Sequence, residues 1–346
     1  MIRTVDPRTD AAWREYMLSP RGSLFGAPPW LTAIADTYGF EMEANVTIDD
    51  GGNTTGGLAF AQVNDFLGSR MLSLPFCDYL DPIIDSDEQW HELVDPLIER
   101  DLRFQIRVID SDEPRRDARF VQVDEMAWHC TNLVPTEDEI FATWSQRARQ
   151  NVRTARKNNV TVRFGSDLED VRAFHDLHRS TRKNKHRLLA QPFSFFENIW
   201  KQFSPDDALL VGLAEHEGDV IAGSFYLRWS DVWYYKFSAS IFERAKVRPN
   251  ELLAWESICL AKSHGCSAYD WGVSDIDPPG LVEYKRKLGT IEKKVSVLRF
   301  TPEGYTNPAA AEAMPVLGEL TALLTRDDVP DDVTQRAGEI LYRYFT

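Results

Sequence analysis

Residues 268–289 read AYDWGVSDIDPPGLVEYKRKLG, and their order sets the reading of the whole chain. Ala268 to Val273 is aromatic and apolar, a strand that runs into Gly272. Ser274 to Pro279 is polar and holds Pro278 and Pro279, which reads as a loop. Gly280 then opens a short helix carrying Tyr284, Lys285, Arg286 and Lys287, closed by Gly289. Strand, loop and cationic helix in succession present charge at the mouth of an α/β sheet. Asp275 and Asp277 stand close to Lys285 in sequence, so acid and base meet there. The same letters also fit a strand-end glycine, a stiff Pro-Pro turn and a solvated helix face.

Working outward, residues 160 to 300 alternate regularly. Val160 to Phe164 reads as a strand, and Leu168 to Asn184 as a helix with Leu168, Val171, Phe174 and Leu177 inward. A second helix covers Phe193 to Phe203. Strands follow at Ala208 to Glu215, Val220 to Trp229 and Val232 to Ala239. Asn250 is expected to cap a helix reaching His264, and Lys294 to Phe300 is the last strand. Upstream, Thr136 and Glu139 fit a capping box. Ile140, Phe141, Trp144, Ala148, Val152 and Ala155 then recur at helical spacing, which predicts one long linker helix. The first 135 residues mix helices with strands at Met42 to Ile48, Leu58 to Val63, Arg70 to Phe76, Arg103 to Ile109, Arg119 to Val123 and Trp128 to Val134. DDGGNTTGG joins two strands and opens no helix, so it is a hairpin turn and not a phosphate loop. Residues 307–346 read as two helices split around Asp327 to Asp332, with LYRYF packed at the end.

Length suggests two domains, and 43% apolar with 12% aromatic residues supplies two cores. No run reaches the ~18 apolar residues of a membrane span. MIRTVDPRTDAAW has no apolar core of a signal peptide, and Cys77, Cys130, Cys259 and Cys266 form no CxxC pair, so a reduced, cytoplasmic setting is expected. Net charge is −15, with only 11 lysines beside 28 arginines, a composition that hints at a salt-adapted protein. Against that background residues 141–190 hold 12 Lys/Arg and 4 Asp/Glu, a local +8 that points to an anionic partner. Few aromatics are interleaved there, so base stacking is not indicated. His175 and His178 lie one turn apart near His186, but no third ligand is placed and arginines surround them, so no metal is expected.

The element order βααβββαβαβ of the second half resembles the GNAT acyltransferase fold. Members that use coenzyme A carry a glycine-bearing turn between the fourth strand and its helix, where backbone N–H groups hold pyrophosphate. Here that junction is SASIFERAKVRPNELLAWES, without a glycine from Ser240 to His264. Three blocks instead resemble the FemAB-type branch, in which two GNAT-like domains are fused and aminoacyl-tRNA is the usual donor. They are WSQRARQNVRTARKNNVTV, YYKFSASIFERAKVRPNELLAWESI and YDWGVSDIDPPGLVEYKRKLG, with weaker traces in FGAPPWL and LPFCDYLDP. Val273 stands where that branch usually has arginine.

The resemblance implies an α+β chain of two tandem GNAT-like domains, each a mixed, mostly antiparallel sheet flanked by helices. The expected boundaries are 1–135, a linker helix at 136–158, 159–302, and a helical tail at 303–346. It implies amide-bond formation between an activated acyl or aminoacyl donor and the amine of an anionic, cell-envelope or glycan-type acceptor, with no resident cofactor. Lys285 is the expected cation at the donor phosphate or the oxyanion, and Asp270 and Tyr284 the groups that orient or take a proton. Substrate contacts are expected from Arg179, Arg182, Lys183, Arg187, Lys236, Ser238, Asn250, Asp78 and Tyr79. The alternatives are an acetyl-CoA- or other acyl-CoA-dependent N-acyltransferase, and a non-catalytic protein that binds a phosphorylated glycan or lipid. Peripheral membrane contact is compatible with each.

Overall fold

The structure is a computed structural model that describes residues 1–346. Its contacts divide the chain into two compact units, Met1–Ala127 with Lys293–Leu317 and Thr346, and Trp128–Glu292 with Gly318–Phe345.

The first unit holds β1 (Ile2–Val5), α1 (Ala11–Leu18), α2 (Pro28–Tyr38), β2 (Met42–Ile48), β3 (Thr54–Asp65), β4 (Gly68–Leu72), α3 (Asp87–Ile98), β5 (Phe104–Val108), α4 (Glu113–Arg116) and the start of β6 (Phe120–Asn132). β1 to β4 are successive antiparallel neighbours, and β5 joins β4 in parallel after the crossover through α3. That crossover buries Trp90, Leu93, Val94 and Leu97 of α3 against Phe60, Phe104 and Ile106 of the sheet. Asn45 is buried in β2, where its side-chain amide donates to the Leu93 carbonyl of α3 at 3.1 Å. β1 has no apolar alternation and was not expected from the sequence.

The second unit continues with α5 (Glu137–Thr143), α6 (Gln146–Lys157), β7 (Thr161–Gly165), α7 (Leu168–Thr181), α8 (Phe193–Phe203), β8 (Leu209–His216), β9 (Asp219–Trp229), β10 (Val232–Ser240), α9 (Pro249–Ser263), β11 (Ala268–Asp275) and α10 (Gly280–Arg286). β12 (Ile291–Phe300) follows, then α11 (Pro308–Leu324) and α12 (Asp331–Leu341). β7 to β10 are again successive antiparallel neighbours, and β11 joins β10 in parallel after α9. The plan of the first unit is therefore repeated, although the two stretches share no visible sequence repeat.

Each unit also recruits a strand from elsewhere in the chain. Ser296–Phe300 of β12 pairs antiparallel with β5, and β6 lies beside β11. That recruitment moves the divisions to residues 127/128 and 292/293, away from the expected 135 and 302. The expected linker lies inside the second unit and is two helices, not one. Thr136 and Glu139 do form the capping box of α5. Trp144 then takes an extended ψ of 144°, and the Ser145 hydroxyl accepts the Ala148 N–H at 3.2 Å to start α6. The apolar positions run through the break in register because Trp144, Ala148, Val152 and Ala155 all pack into the core that contains Trp255 and Ile258 of α9. Likewise, the expected strands at 119–123 and 128–134 are one strand, β6.

Candidate active site

β10 and β11 pair at three positions only, Val232 to Tyr234 with Ala268 to Asp270. β10 then runs on to Ser240 and β11 to Asp275 without register partners in each other. A bulge between Tyr235 and Phe237, seen in the pairing of β10 with β9, coincides with this parting and contains Lys236. Two parallel strands that separate open a slot at their carboxyl ends, the usual place for a ligand in a sheet with parallel pairing.

Asp270 and Lys285 lie buried at that level, 1% and 2% exposed. The Asp270 carboxylate accepts the Trp128 indole N–H at 2.9 Å and the Gly272 amide at 2.6 Å. The second bond closes a tight Asx-type turn that Gly272 makes with a φ of +69°, a conformation costly for a residue with a Cβ. Lys285 Nζ donates to the carbonyls of Gly272 at 2.9 Å and Val273 at 3.2 Å, which ties α10 back to the end of β11. Ser274, the next residue along, has a buried hydroxyl with no hydrogen-bond partner. The quoted stretch is thus one folded unit: the glycine turn supplies the carbonyls that hold the lysine.

Tyr284 is half-buried on α10, and desolvation pushes its hydroxyl well above the usual phenol range, helped by Tyr235, Glu251 and Tyr226 nearby. It therefore stays protonated at neutral pH and can give a proton or a hydrogen bond but cannot act as a base. Tyr235 is raised for the same reason, although hydrogen bonds with Ser238 and Ser224 oppose the shift. Behind them Tyr269 shares a 2.8 Å hydrogen bond with Ser257, and Glu251 accepts the Asn151 side-chain amide at 2.7 Å. His129 is fully buried, with Nε2 3.0 Å from Glu292, and burial followed by the Lys285 charge lowers its pKa.

A cleft of about 370 Å³ opens at the carboxyl end of β10. Ser180, Thr181, Asn184 and Lys185 form one wall, and Ser240, Ile241, Phe242 and Glu243 the other. The walls are stitched where the Thr181 hydroxyl donates to the Ser240 carbonyl at 3.3 Å and accepts the Ser240 N–H at 3.2 Å. Phe242 is 69% exposed, an aromatic face on offer to a ligand. Beyond it, a 3₁₀ turn over Phe242–Val247 leads to Arg248, which takes a left-handed φ of +62° as the N-cap of α9. Asn250 was expected at that cap but stands inside the first turn, its amide 3.5 Å from the Ser240 hydroxyl. Pro249 at the first helical position contributes no N–H, and the glycine-free junction offers no nest of amides. These residues do not fit a pyrophosphate cradle.

The basic cluster after α7 is not an open cationic surface. Arg187 pairs with Asp327 at 2.6 Å and also donates to the Thr325 carbonyl. Lys183 is buried, with Nζ 2.6 Å from both Asp331 and the Val329 carbonyl. Arg179 donates to Gln335, and Arg182 to the Leu189 carbonyl. Asp327, in the turn between α11 and α12, and Asp331, at the start of α12, thus return counter-charges from within the chain to Arg187 and Lys183. Tail packing is close here: a Cβ at Gly338 would stand 2.4 Å from the Ala190 carbonyl oxygen. Lys236 is half-buried with its ammonium 5.7 Å from the Phe237 ring centroid, and Ser238 is exposed. Asp78 and Tyr79 belong to the first unit, where Tyr79 meets Phe25 edge-on at 5.2 Å. His175 and His178 face Gln191, bonded to its carbonyl and side-chain oxygens, and no group of three or more potential ligands is set for a metal.

The antiparallel run closed by a parting parallel pair defines the class: residues 145–286 match the family described as an acetyltransferase (GNAT) domain. The crystal structure of FemX shares the fold with a TM-score of 0.66 at 16% identity, over 86% of this chain and 96% of that one. A tandem GNAT protein from the clavulanic acid biosynthesis pathway does so at 0.55 and 10% identity, over 88% and 100%. In sequence, a lipid II:glycine glycyltransferase of Staphylococcus epidermidis is 23% identical over 227 residues, 46% of this chain and 54% of that protein. The chain thus spans about half the length of the curated relatives it matches. Taken together, these likenesses support a FemAB-type branch of the GNAT superfamily. No helix is long and apolar enough to cross a membrane.

Proposed function

We propose that this chain is an aminoacyltransferase that forms an amide bond between the aminoacyl ester of a tRNA and an amine of a lipid- or nucleotide-linked, glycan-type acceptor. The observation that carries the reading is the slot between β10 and β11, with Asp270, Lys285 and protonated Tyr284 where the strands part; the cleft of about 370 Å³ lies farther along, at the carboxyl end of β10. The family relatives support the class of reaction, and the absence of an amide nest before α9 speaks against coenzyme A as donor.

In the reaction the amine nitrogen bonds to the ester carbonyl carbon and the carbon–oxygen bond to the ribose breaks. The amine loses one proton, and the leaving ribose oxygen gains one. The Lys285 charge lies in a dry site, where it stabilises a developing oxyanion more than it would in water. Tyr284 keeps its proton and suits donation to the leaving oxygen. Lys185 and Phe242, on facing walls of the cleft, suit a phosphate and a base at the donor's 3′ end.

The test is binding of the full chain to bulk aminoacyl-tRNA and, at the same salt, to acetyl-CoA. Saturable binding to charged tRNA, weakened about tenfold by Phe242→Ala, is expected. Tight binding of acetyl-CoA with none of tRNA overturns the reading.

A further inference from the structure

With Arg179, Lys183 and Arg187 engaged by the tail and Arg163 paired with Asp170 and Glu215, the longest run of the remaining positive charge of residues 141–190 lies on one helix. α6 carries Arg147, Arg149, Arg153, Arg156 and Lys157 and no acid. Its buried side is Ala148, Val152 and Ala155, packed into the core shared with α9. The cations occupy the opposite side, with Arg147, Arg153, Arg156 and Lys157 exposed. Arg156 meets Glu256 at 2.9 Å, and Arg149 donates to the Ala142 carbonyl. Arg147, Arg153 and Lys157 have neither an ion pair nor a hydrogen bond to the protein, although the chain has 54 Asp and Glu with which to pair them. Leaving three cations unpaired in so acidic a protein keeps a positive face available to an outside anion.

We infer that this face of α6 docks the protein on an anionic phospholipid surface. The helix extends about 18 Å, with its free cations along one side of a straight rod. Gln146 and Gln150 lie among them, and no aromatic or apolar side chain does. Such a face cannot stack on bases or wedge between them, and it has no facing wall to enclose a strand, as single-stranded nucleic acid sites do. It meets a plane of headgroups well, through charge alone and without insertion. The acids nearest in sequence, Glu137, Asp138 and Glu139, are confined to α5, where Glu139 is held in its capping box. The inference rests on this charge geometry and not on the transferase reading.

Sedimentation of the full chain with vesicles tests it, using phosphatidylcholine alone and phosphatidylcholine with about 30% phosphatidylglycerol. Binding to the anionic vesicles only is expected, falling steeply as salt rises. Each cation removed lowers partitioning about fivefold, so Arg147→Gln/Arg153→Gln/Lys157→Gln together lower it about 100-fold. All three positions are exposed, so the melting temperature stays unchanged and serves as the folding control. Equal partitioning of wild type and triple variant overturns the proposal, as does absence of binding to anionic vesicles. If the triple variant instead loses affinity for bulk tRNA while wild type ignores vesicles, the face belongs to nucleic acid and the lipid assignment fails.

Discussion

Acid weakens this fold through a buried histidine whose effect can be isolated. His178 is 5% exposed on α7, with ring contacts to Phe174 at 5.7 Å, Phe196 at 5.5 Å and Phe237 at 6.0 Å. Its Nε2 lies 2.8 Å from Gln191 Oε1, while Nδ1 has no partner. Desolvation pushes its pKa from the ordinary 6.5 down to about 3, with Arg182 adding repulsion. A lowered pKa means that the unfolded chain binds the proton first, so stability present above pH 6.5 is lost as pH falls toward 3. At pH 5 the unfolded side chain is protonated and the folded one is not, a gap of about 1.5 pH units. At about 1.36 kcal/mol per unit, His178 alone costs about 2 kcal/mol there. His175, also depressed by burial, adds in the same direction. The assay is urea unfolding of wild type and His178→Phe at pH 7 and pH 5, at constant ionic strength. The variant starts less stable, because Gln191 loses a partner, but falls by about 2 kcal/mol less between the two pH values. Equal falls in both proteins would refute the account of a neutral, desolvated imidazole.

Three further outcomes follow from the geometry. Gly272→Ala costs about 1–2 kcal/mol in chemical denaturation, because the turn that feeds Asp270 and Lys285 requires a φ of +69°; no loss would mean that the turn is not formed. Asp331→Ala removes the carboxylate from buried Lys183 and costs about 2 kcal/mol, whereas Asp327→Ala opposite exposed Arg187 costs less than about 1 kcal/mol, both read from urea midpoints. The reverse order would show that the tail is not held as described. Lys285→Met lowers transfer by at least about 100-fold, and Lys285→Arg does not restore it, since a site 2% exposed leaves no room for a guanidinium. Full activity in either variant removes Lys285 from the chemistry.

Much of the second unit was legible because its signals are local. Strand alternation and helical spacing gave β8 to β11 and α7 to α9 within a few residues, and the 268–289 stretch folds as its letters suggest. The break between α5 and α6 was written in Ser145, but an apolar period that carries on through Trp144 hid it. The partners of Arg179, Lys183 and Arg187 could not be read, since Asp327, Asp331 and Gln335 lie about 140 to 156 residues away in sequence. A charge excess counted in a window says nothing about counter-charges the fold returns to it. Trp128, on a strand recruited from before the second half, was equally invisible as the donor to Asp270. So was the Thr181–Ser240 stitch, because it joins one hydroxyl to the backbone of a residue 59 positions away, without a motif.

Transfer of an aminoacyl group in the slot beside β11 is tested by supplying both donors to the same acceptor. Full-length protein is mixed with an amine-bearing, lipid-linked glycopeptide and either tRNA charged with labelled amino acids or labelled acetyl-CoA, and label in the acceptor is followed. Label from charged tRNA, lost in Lys285→Met, is expected, and none from acetyl-CoA. Label from acetyl-CoA with none from tRNA would contradict it.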